Sequence, residues 1–198
     1  MRQTKNKFYS LIIRRRTVRL FKDKKVPLRI IKKIINAARC APSAANRQFL
    51  EYFVIDKEEL KEKISLHLRW AGYVYPKRVP PPQRRPYFYI VILINKKKSE
   101  KPDLRDVGAA AENILLSLTC FGLGGCWIGA LNKKALHKIL KLPSFYKIDS
   151  IIACGYPDES PVLEEKDEVK YWLDRKNVLH VPKRPLKKIF HYNFYAGI

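Results

Sequence analysis

Tyr87-Phe88-Tyr89-Ile90-Val91-Ile92-Leu93-Ile94 is an apolar run of eight, rich in β-branched and aromatic side chains. A strand with one wet face alternates apolar and polar residues, so a run without alternation fits a strand buried on both faces, at the centre of a sheet. The 198 residues suit one compact domain over 1–198, large enough to bury roughly 70% of the surface that the unfolded chain exposes. A 46% hydrophobic and 12% aromatic composition excludes a disordered chain.

Helical spacing supplies the cover. Phe8, Leu11 and Ile12 share a face over residues 4–15, and Leu28, Ile31, Ile34, Ile35 and Ala38 give a strongly amphipathic second helix that starts after Pro27 and leaves Lys32 and Lys33 in water. Leu60, Ile64 and Leu68 mark a third helix, and Tyr52 to Ile55 a buried strand before it. From Asp103 to Phe121, the residues Val107, Ala110, Ala111, Ile114, Leu115 and Leu118 define a long interior helix. Gly122-Leu123-Gly124-Gly125 lacks the third glycine of a dinucleotide fingerprint, because position 127 is Trp127, and follows a helix instead of a strand; Gly122 is read as a C-terminal cap. Asn132 caps a helix carrying Leu136, Ile139 and Leu140, and Ser150 to Pro157 forms one more buried strand and turn.

Two segments carry polar groups in unusual density. Pro42 ends the second helix, and Ser43, Asn46 and Gln48 then offer hydroxyl and amide groups that both donate and accept, as a planar, polar-edged ligand requires. Upstream, Arg14, Arg15, Arg16, Thr17 and Arg19 lie where the first helix gives way to an extended Val18-Arg19-Leu20-Phe21. Guanidinium forks suit phosphate, but taken alone these residues read first as a solvated basic turn. Residues 66–86 hold Trp70, Tyr73 and Tyr75 among prolines and arginines, a composition that fits a linker, a nucleic-acid contact or a flap over a pocket.

Together, Arg15-Arg16-Thr17-Val18-Arg19-Leu20-Phe21, Pro42-Ser43-Ala44-Ala45-Asn46-Arg47-Gln48, Cys126-Trp127-Ile128-Gly129-Ala130-Leu131 and the late Lys183-Arg184 resemble the nitroreductase family of flavin mononucleotide (FMN) oxidoreductases. The resemblance spans nearly the whole chain. It implies an α+β fold of three α/β/α layers, a central, mostly antiparallel sheet flanked by helices, and a homodimer whose long helix builds the core and whose FMN sites lie between the subunits. It also implies roles. Arg15, Arg16, Thr17, Lys183 and Arg184 would reach the phosphate and Arg19 the flavin ring. Pro42, Ser43, Ala44, Asn46 and Gln48 would hold the ribityl and pyrimidine edges. Trp127, Ile128, Gly129 and Ala130 would pass along the isoalloxazine, with the amides of Gly129 and Ala130 aimed at its reactive nitrogen and carbonyl. Residues 66–86 become a lid, and 185–198 an aromatic extension that packs on the domain or across the partner. Two departures stand out: Ala44 where a second serine is common, and Phe49 in place of a frequent proline.

No serine, histidine and acid arrangement, paired-carboxylate signature or histidine-rich metal motif appears, so the sequence assigns no catalytic side chain and no metal, and the flavin would perform the chemistry. The implied reaction passes hydride from NADH or NADPH through FMN to an electron-poor acceptor such as a nitroaromatic or a quinone. Cys40, Cys120, Cys126 and Cys154 lack metal-ligand spacing and read as buried, reduced thiols. Without an apolar run long enough to span a bilayer or a secretory leader, the expected location is the cytoplasm, with no membrane partner. The net charge of +23 keeps open a basic nucleic-acid-binding protein, with arginines interleaved with aromatics at 69–89, and a flavin-binding regulator without turnover is a third reading.

Overall fold

The computed structural model describes residues 7–195. In chain order its helices are α1 (Lys7–Arg14), α2 (Leu28–Arg39), α3 (Glu58–Ser65), α4 (Leu104–Cys120) and α5 (Lys133–Ile139). Its strands are β1 (Leu50–Ile55), β2 (Phe88–Asn95), β3 (Gly124–Ile128), β4 (Tyr146–Gly155), β5 (Val162–Glu165), β6 (Trp172–Leu173) and β7 (Leu179–Lys183). The main sheet runs β1-β2-β4-β3, antiparallel throughout, with β2 inside it as the apolar run requires.

Every residue of β2 is buried, and the alternation of a strand divides them between two cores. Phe88, Ile90, Ile92 and Ile94 pack with Ile31, Ile34 and Ala38 of α2 and Val107, Ala111, Ile114 and Leu118 of α4. Tyr89, Val91 and Leu93 face the opposite layer, where Ile64 of α3 and Leu136 of α5 close the second core. The result is the expected α/β/α sandwich. A bulge between Ile92 and Leu93 shifts the β2–β4 register, pairing Ile92 with Ser150 and Leu93 with Ile148.

The punctuation follows the chemistry of the residues. Gly122 stands at φ 70°, its N–H donates to Thr119 O at 3.1 Å, and Leu123 N–H reaches back to Leu118 O at 2.8 Å, a Schellman closure of α4. Asn132 Oδ1 accepts from Ala135 N–H at 3.1 Å and starts α5.

Three expectations need correction. Strand β1 is the sheet edge, so Tyr52, Phe53 and Val54 are only half-buried. Cys40 and Cys120 are exposed because each sits at the end of a helix where the chain turns at the surface; Cys126 on β3 and Cys154 on β4 point into the two cores and are buried. After Pro157, β5, β6 and β7 form a second, three-stranded sheet, with β5 parallel to β7. Of the two placements expected for the aromatic extension, packing on its own domain is not what the structure shows, since Phe190, Tyr192, Phe194 and Tyr195 are 60–84% exposed. Among the described residues no helix is long and apolar enough to cross a membrane.

Candidate active site

The basic segment is held extended along β3. Val18 N–H donates to Gly125 O at 3.0 Å, and Thr17 pairs in parallel with Gly125. Glycine is required here by space: a Cβ on Gly124 would lie 2.7 Å from Val18 Cγ2. Below the segment, Glu159 Oε1 accepts the N–H groups of Arg19 at 2.5 Å and Leu20 at 3.2 Å. The arginine side chains leave this fixed backbone for different partners. Arg15 pairs with Glu112 at 3.3 Å, and the Arg19 guanidinium lies 5.1 Å over the Tyr171 ring. Arg16 donates only to the carbonyl of Arg15, and burial together with the Arg15 charge presses its pKa below the ordinary arginine value. The Nε atoms of Arg16 and Arg19 are buried and find no acceptor among the described residues. Unsatisfied buried donors of this kind cost on the order of 1–3 kcal/mol each, more when charged, and unlike Arg78 and Arg84 these two side chains have no carboxylate beside them among the described residues.

The Pro42–Gln48 turn is anchored on the first turn of α4. Ser43 Oγ donates to Asp106 Oδ2 at 2.6 Å, the N–H of Ala44 reaches the same carboxylate at 3.1 Å, and Gln48 N–H donates to Ser43 Oγ at 3.0 Å. Gln48 Nε2 donates to Asn46 Oδ1 at 2.9 Å. Ala45, Asn46 and Gln48 all stand in the left-handed region, at φ 51°, 52° and 46°. Three such non-glycine residues in one short turn carry strain that the Asp106 anchor holds in place. Pro42, Ser43 and Gln48 line a cleft with Arg39, Tyr52 and Lys98.

The third segment leaves the sheet edge. Trp127 is half-exposed, with its Nε1–H on Ser150 Oγ at 2.6 Å, and Ile128 is buried. Gly129 and Ala130 are exposed, and a Cβ on Gly129 would meet nothing within 4 Å. Ala130 O accepts from Arg69 N–H at 2.9 Å, and Leu68 bridges Leu131, so residues 66–69 wall this groove. No acceptor among the described residues takes the N–H of Gly129 or Ala130.

One chain does not bring these segments into a single pocket. The Ser43 turn sits at the start of α4, whereas Thr17 and Val18 lie against the strand that follows its end, and Asp106 to Cys120 spans about 21 Å of helix. Arg15 reaches back along α4 only as far as Glu112. Lys183 and Arg184 are exposed at the end of β7, with Arg184 donating to Lys188 O at 3.4 Å, and among the described residues no hydrogen bond or ion pair joins their side chains to Arg15–Arg19. Residues 66–86 are partly core: Trp70 and Val74 are buried, and Arg78 is buried against Glu159.

Sequence reasoning passed over Asp106, Glu159 and Tyr171, which position the expected residues. Asp106 had a legible signal, a carboxylate one residue before the buried Val107 in an otherwise apolar helix. Glu159 had none, since its role depends on contacts 139 and 140 residues away in sequence.

Comparison with known proteins agrees with this arrangement. Residues 12–156 match the sequence model of the nitroreductase family. An Archaeoglobus fulgidus protein named "Putative NADH dehydrogenase/NAD(P)H nitroreductase" is 30% identical over 162 residues, 80% of this chain and 90% of that protein. Iodotyrosine deiodinase from Thermotoga neapolitana is 27% identical over 175 residues, 81% of this chain and 94% of the relative. The solved FMN-dependent nitroreductase of Clostridium difficile R20291 superposes with a TM-score of 0.68 at 26% identity, covering 94% of this chain and 99% of its own. With the family model matching residues 12–156 and a relative 30% identical over 80% of this chain's length, the chain belongs to the nitroreductase family and is an oxidoreductase.

Proposed function

We propose that this enzyme binds FMN, takes hydride from NADH or NADPH and reduces an electron-poor small molecule such as a nitroaromatic or a quinone, working as a homodimer. The observation that carries the reading is the pair of buried guanidinium nitrogens, Arg16 Nε and Arg19 Nε, that lack acceptors. A phosphate monoester supplies such acceptors through charge-assisted hydrogen bonds. Bound there, FMN supplies the two-electron redox chemistry that no side-chain constellation of this chain offers.

The protein's share is binding, orientation and electrostatics. Arg15, Arg16 and Thr17 hold the phosphate, with Lys183 and Arg184 beside them. Arg19 places positive charge near the ring, favouring the electron-rich reduced form. Ser43, Asn46 and Gln48, with the backbone of Pro42 and Ala44, take the ribityl and pyrimidine edges. Trp127 and Ile128 carry the chain along the flavin, where the free N–H groups of Gly129 and Ala130 donate to it and the bare Cα of Gly129 leaves the ring unobstructed. The separation of the Ser43 turn from the arginine segment supports a site shared by two subunits, each giving one half, as two-fold symmetry allows.

The test is an absorbance spectrum after FMN is added and the excess removed, followed by anaerobic addition of NADH or NADPH. Retained flavin that bleaches with either donor supports the reading and selects the donor; a chain that keeps no FMN overturns it. A second acceptor class is suggested by the Thermotoga neapolitana deiodinase, which matches 81% of this chain. Iodide release from 3-iodo-L-tyrosine by the reduced enzyme separates the two.

A further inference from the structure

We infer that a lysine groove between α5 and the paired ends of β2 and β4, lined by none of the residues assigned to the flavin, is a docking surface for the backbone of single-stranded nucleic acid. Five lysines line it: Lys96, Lys133, Lys134, Lys138 and Lys147, with His137 among them and no carboxylate. Three elements bring them together. Lys96 follows the last residue of β2 and donates its N–H to Phe145 O at 3.0 Å; Lys147 stands opposite Ile94 across the β2–β4 ladder. Lys133, Lys134 and Lys138 project from α5, which is fixed over the start of β4 by the contact of His137 Nε2 with Tyr146 O at 3.2 Å.

What separates this groove from the rest of the basic surface is the gathering of five lysines around one lining that holds no carboxylate. Of the arginines at 69–89, Arg78 pairs with Glu159, Arg84 with Asp158 and Arg85 with Glu62, so that stretch is substantially neutralised. None of the five groove lysines forms an ion pair among the described residues. The carboxylate that shares Tyr146 with the groove, Glu51, is already taken by the Tyr146 hydroxyl at 2.5 Å, Asn95 Nδ2 at 2.7 Å and Lys98 at 3.5 Å. Five unpaired ammonium groups repel one another, and a chain of phosphates relieves that repulsion by displacing their counterions. Lysines spread over α5 and two strand ends exceed what one phosphate can engage. The half-buried Tyr146 and the aliphatic stems of the lysines give sugars and bases an apolar lining, which favours a single strand over a duplex presenting only its outer backbone.

The experiment uses the full chain loaded with FMN and a fluorescein-labelled 20-nucleotide oligouridylate, followed by anisotropy between about 50 and 200 mM salt. The triple variant Lys134→Gln, Lys138→Gln, Lys147→Gln is compared with a control of equal charge change on distant exposed lysines, Lys25→Gln, Lys32→Gln, Lys57→Gln. The inference expects at least a tenfold loss of affinity in the groove variant, and a salt slope lower by about 2, at roughly 0.7 per phosphate contact on a single strand. The control triple keeps the slope, and both variants keep flavin content and reductase rate. Equal weakening by the control overturns the inference in favour of a diffuse field from the net charge. No binding by the unaltered protein overturns it outright. Inorganic polyphosphate or duplex RNA binding as tightly, with the same loss in the groove variant, overturns the single-strand assignment.

Discussion

Glu159 Oε2 lies 2.9 Å from Arg78 Nε, and both side chains are nearly buried, at 6% and 7% exposure. The guanidinium N–H is not aimed along that line, so the contact is an ion pair without a linear hydrogen bond. Through its other oxygen the same carboxylate holds the N–H groups of Arg19 and Leu20. One side chain thus ties the arginine segment to the loop over 66–86. Removing one partner of a buried pair leaves the other charge uncompensated, at a cost of about 3–5 kcal/mol. Glu159→Ala is expected to lose stability in that range by urea denaturation and to weaken FMN binding. Glu159→Gln, which keeps an acceptor for the two N–H groups, should retain more of the FMN affinity than of the stability.

The anchor of the polar turn gives a second prediction. Asp106 is buried and accepts both from the Ser43 hydroxyl and from the Ala44 N–H, while three left-handed residues follow. Asp106→Ala orphans both donors and releases the strain, at about 1–3 kcal/mol for the unsatisfied groups. FMN affinity, measured by equilibrium fluorescence quenching, should fall about tenfold or more, whereas Asp106→Asn, which keeps one oxygen, should fall less. Equal FMN affinity in all three proteins would remove the turn from the site.

Gly124 tests the packing of the basic segment on β3. An alanine there must move Val18, whose Cβ and Cγ2 lie 2.8 and 2.7 Å from the new atom. Val18 is buried and β-branched, so it cannot swing aside, and overpacking of this kind costs about 1–3 kcal/mol. Gly124→Ala should therefore weaken FMN binding and stability together. Gly129→Ala, which meets nothing within 4 Å inside the chain, should leave stability within about 0.5 kcal/mol and affect only flavin binding or turnover, in a thermal melt set beside a kinetic assay.

The sheet and its two helical layers were legible because their signals are local: β2 is an apolar octet, α2 and α4 repeat at helical spacing, and Gly122 and Asn132 punctuate them with known geometries. Strand β1 was read as buried because periodicity reports apolarity, not which strand lies at an edge. The candidate site was legible as residue types in four segments, through resemblance. Its supports were not. Glu159 acts on Arg19 and Leu20 from the far end of the chain, and β5, β6 and β7 are too short and too charged to announce a sheet. The exposed cysteines were misread because Cys40 and Cys120 have apolar neighbours in sequence but close their helices at the surface.

Those thiols give a chemical prediction. Cys40 and Cys120 are exposed, so a disulfide reagent at about pH 8 should label two thiols at once; Cys40→Ser, Cys120→Ser should label none until unfolded. Burial raises the Cys126 thiol from 9.0 to about 11 and Cys154 well above its usual value, which keeps both protonated and inert. An acid whose pKa rises on folding binds its proton more tightly in the native state. The associated stability is therefore complete below about pH 9 and declines as pH climbs toward 11, by at most about 2–3 kcal/mol for Cys126. Urea midpoints across that window should fall, and fall less in Cys126→Ala.

The last prediction concerns the surface that one chain leaves bare. No residue of α1 is buried, although Phe8, Leu11 and Ile12 share a face, and Phe190, Tyr192, Phe194 and Tyr195 stand exposed at the other end of the described chain. Clustered aromatic surface of this kind is uncommon on a monomer and common at subunit interfaces. The two halves of the expected flavin site, moreover, lie toward opposite ends of α4, so loss of the dimer is expected to dismantle the site even with every named residue intact. A chain ending after Lys188 removes the exposed aromatics and nothing from either core. Sedimentation velocity should then show a monomer in place of a dimer, and FMN should dissociate in parallel, while the far-ultraviolet circular dichroism of the three-layer fold persists. A truncated chain that stays dimeric and yellow would assign the interface to α1 and α4 alone, and a monomer that still holds FMN would refute the shared site.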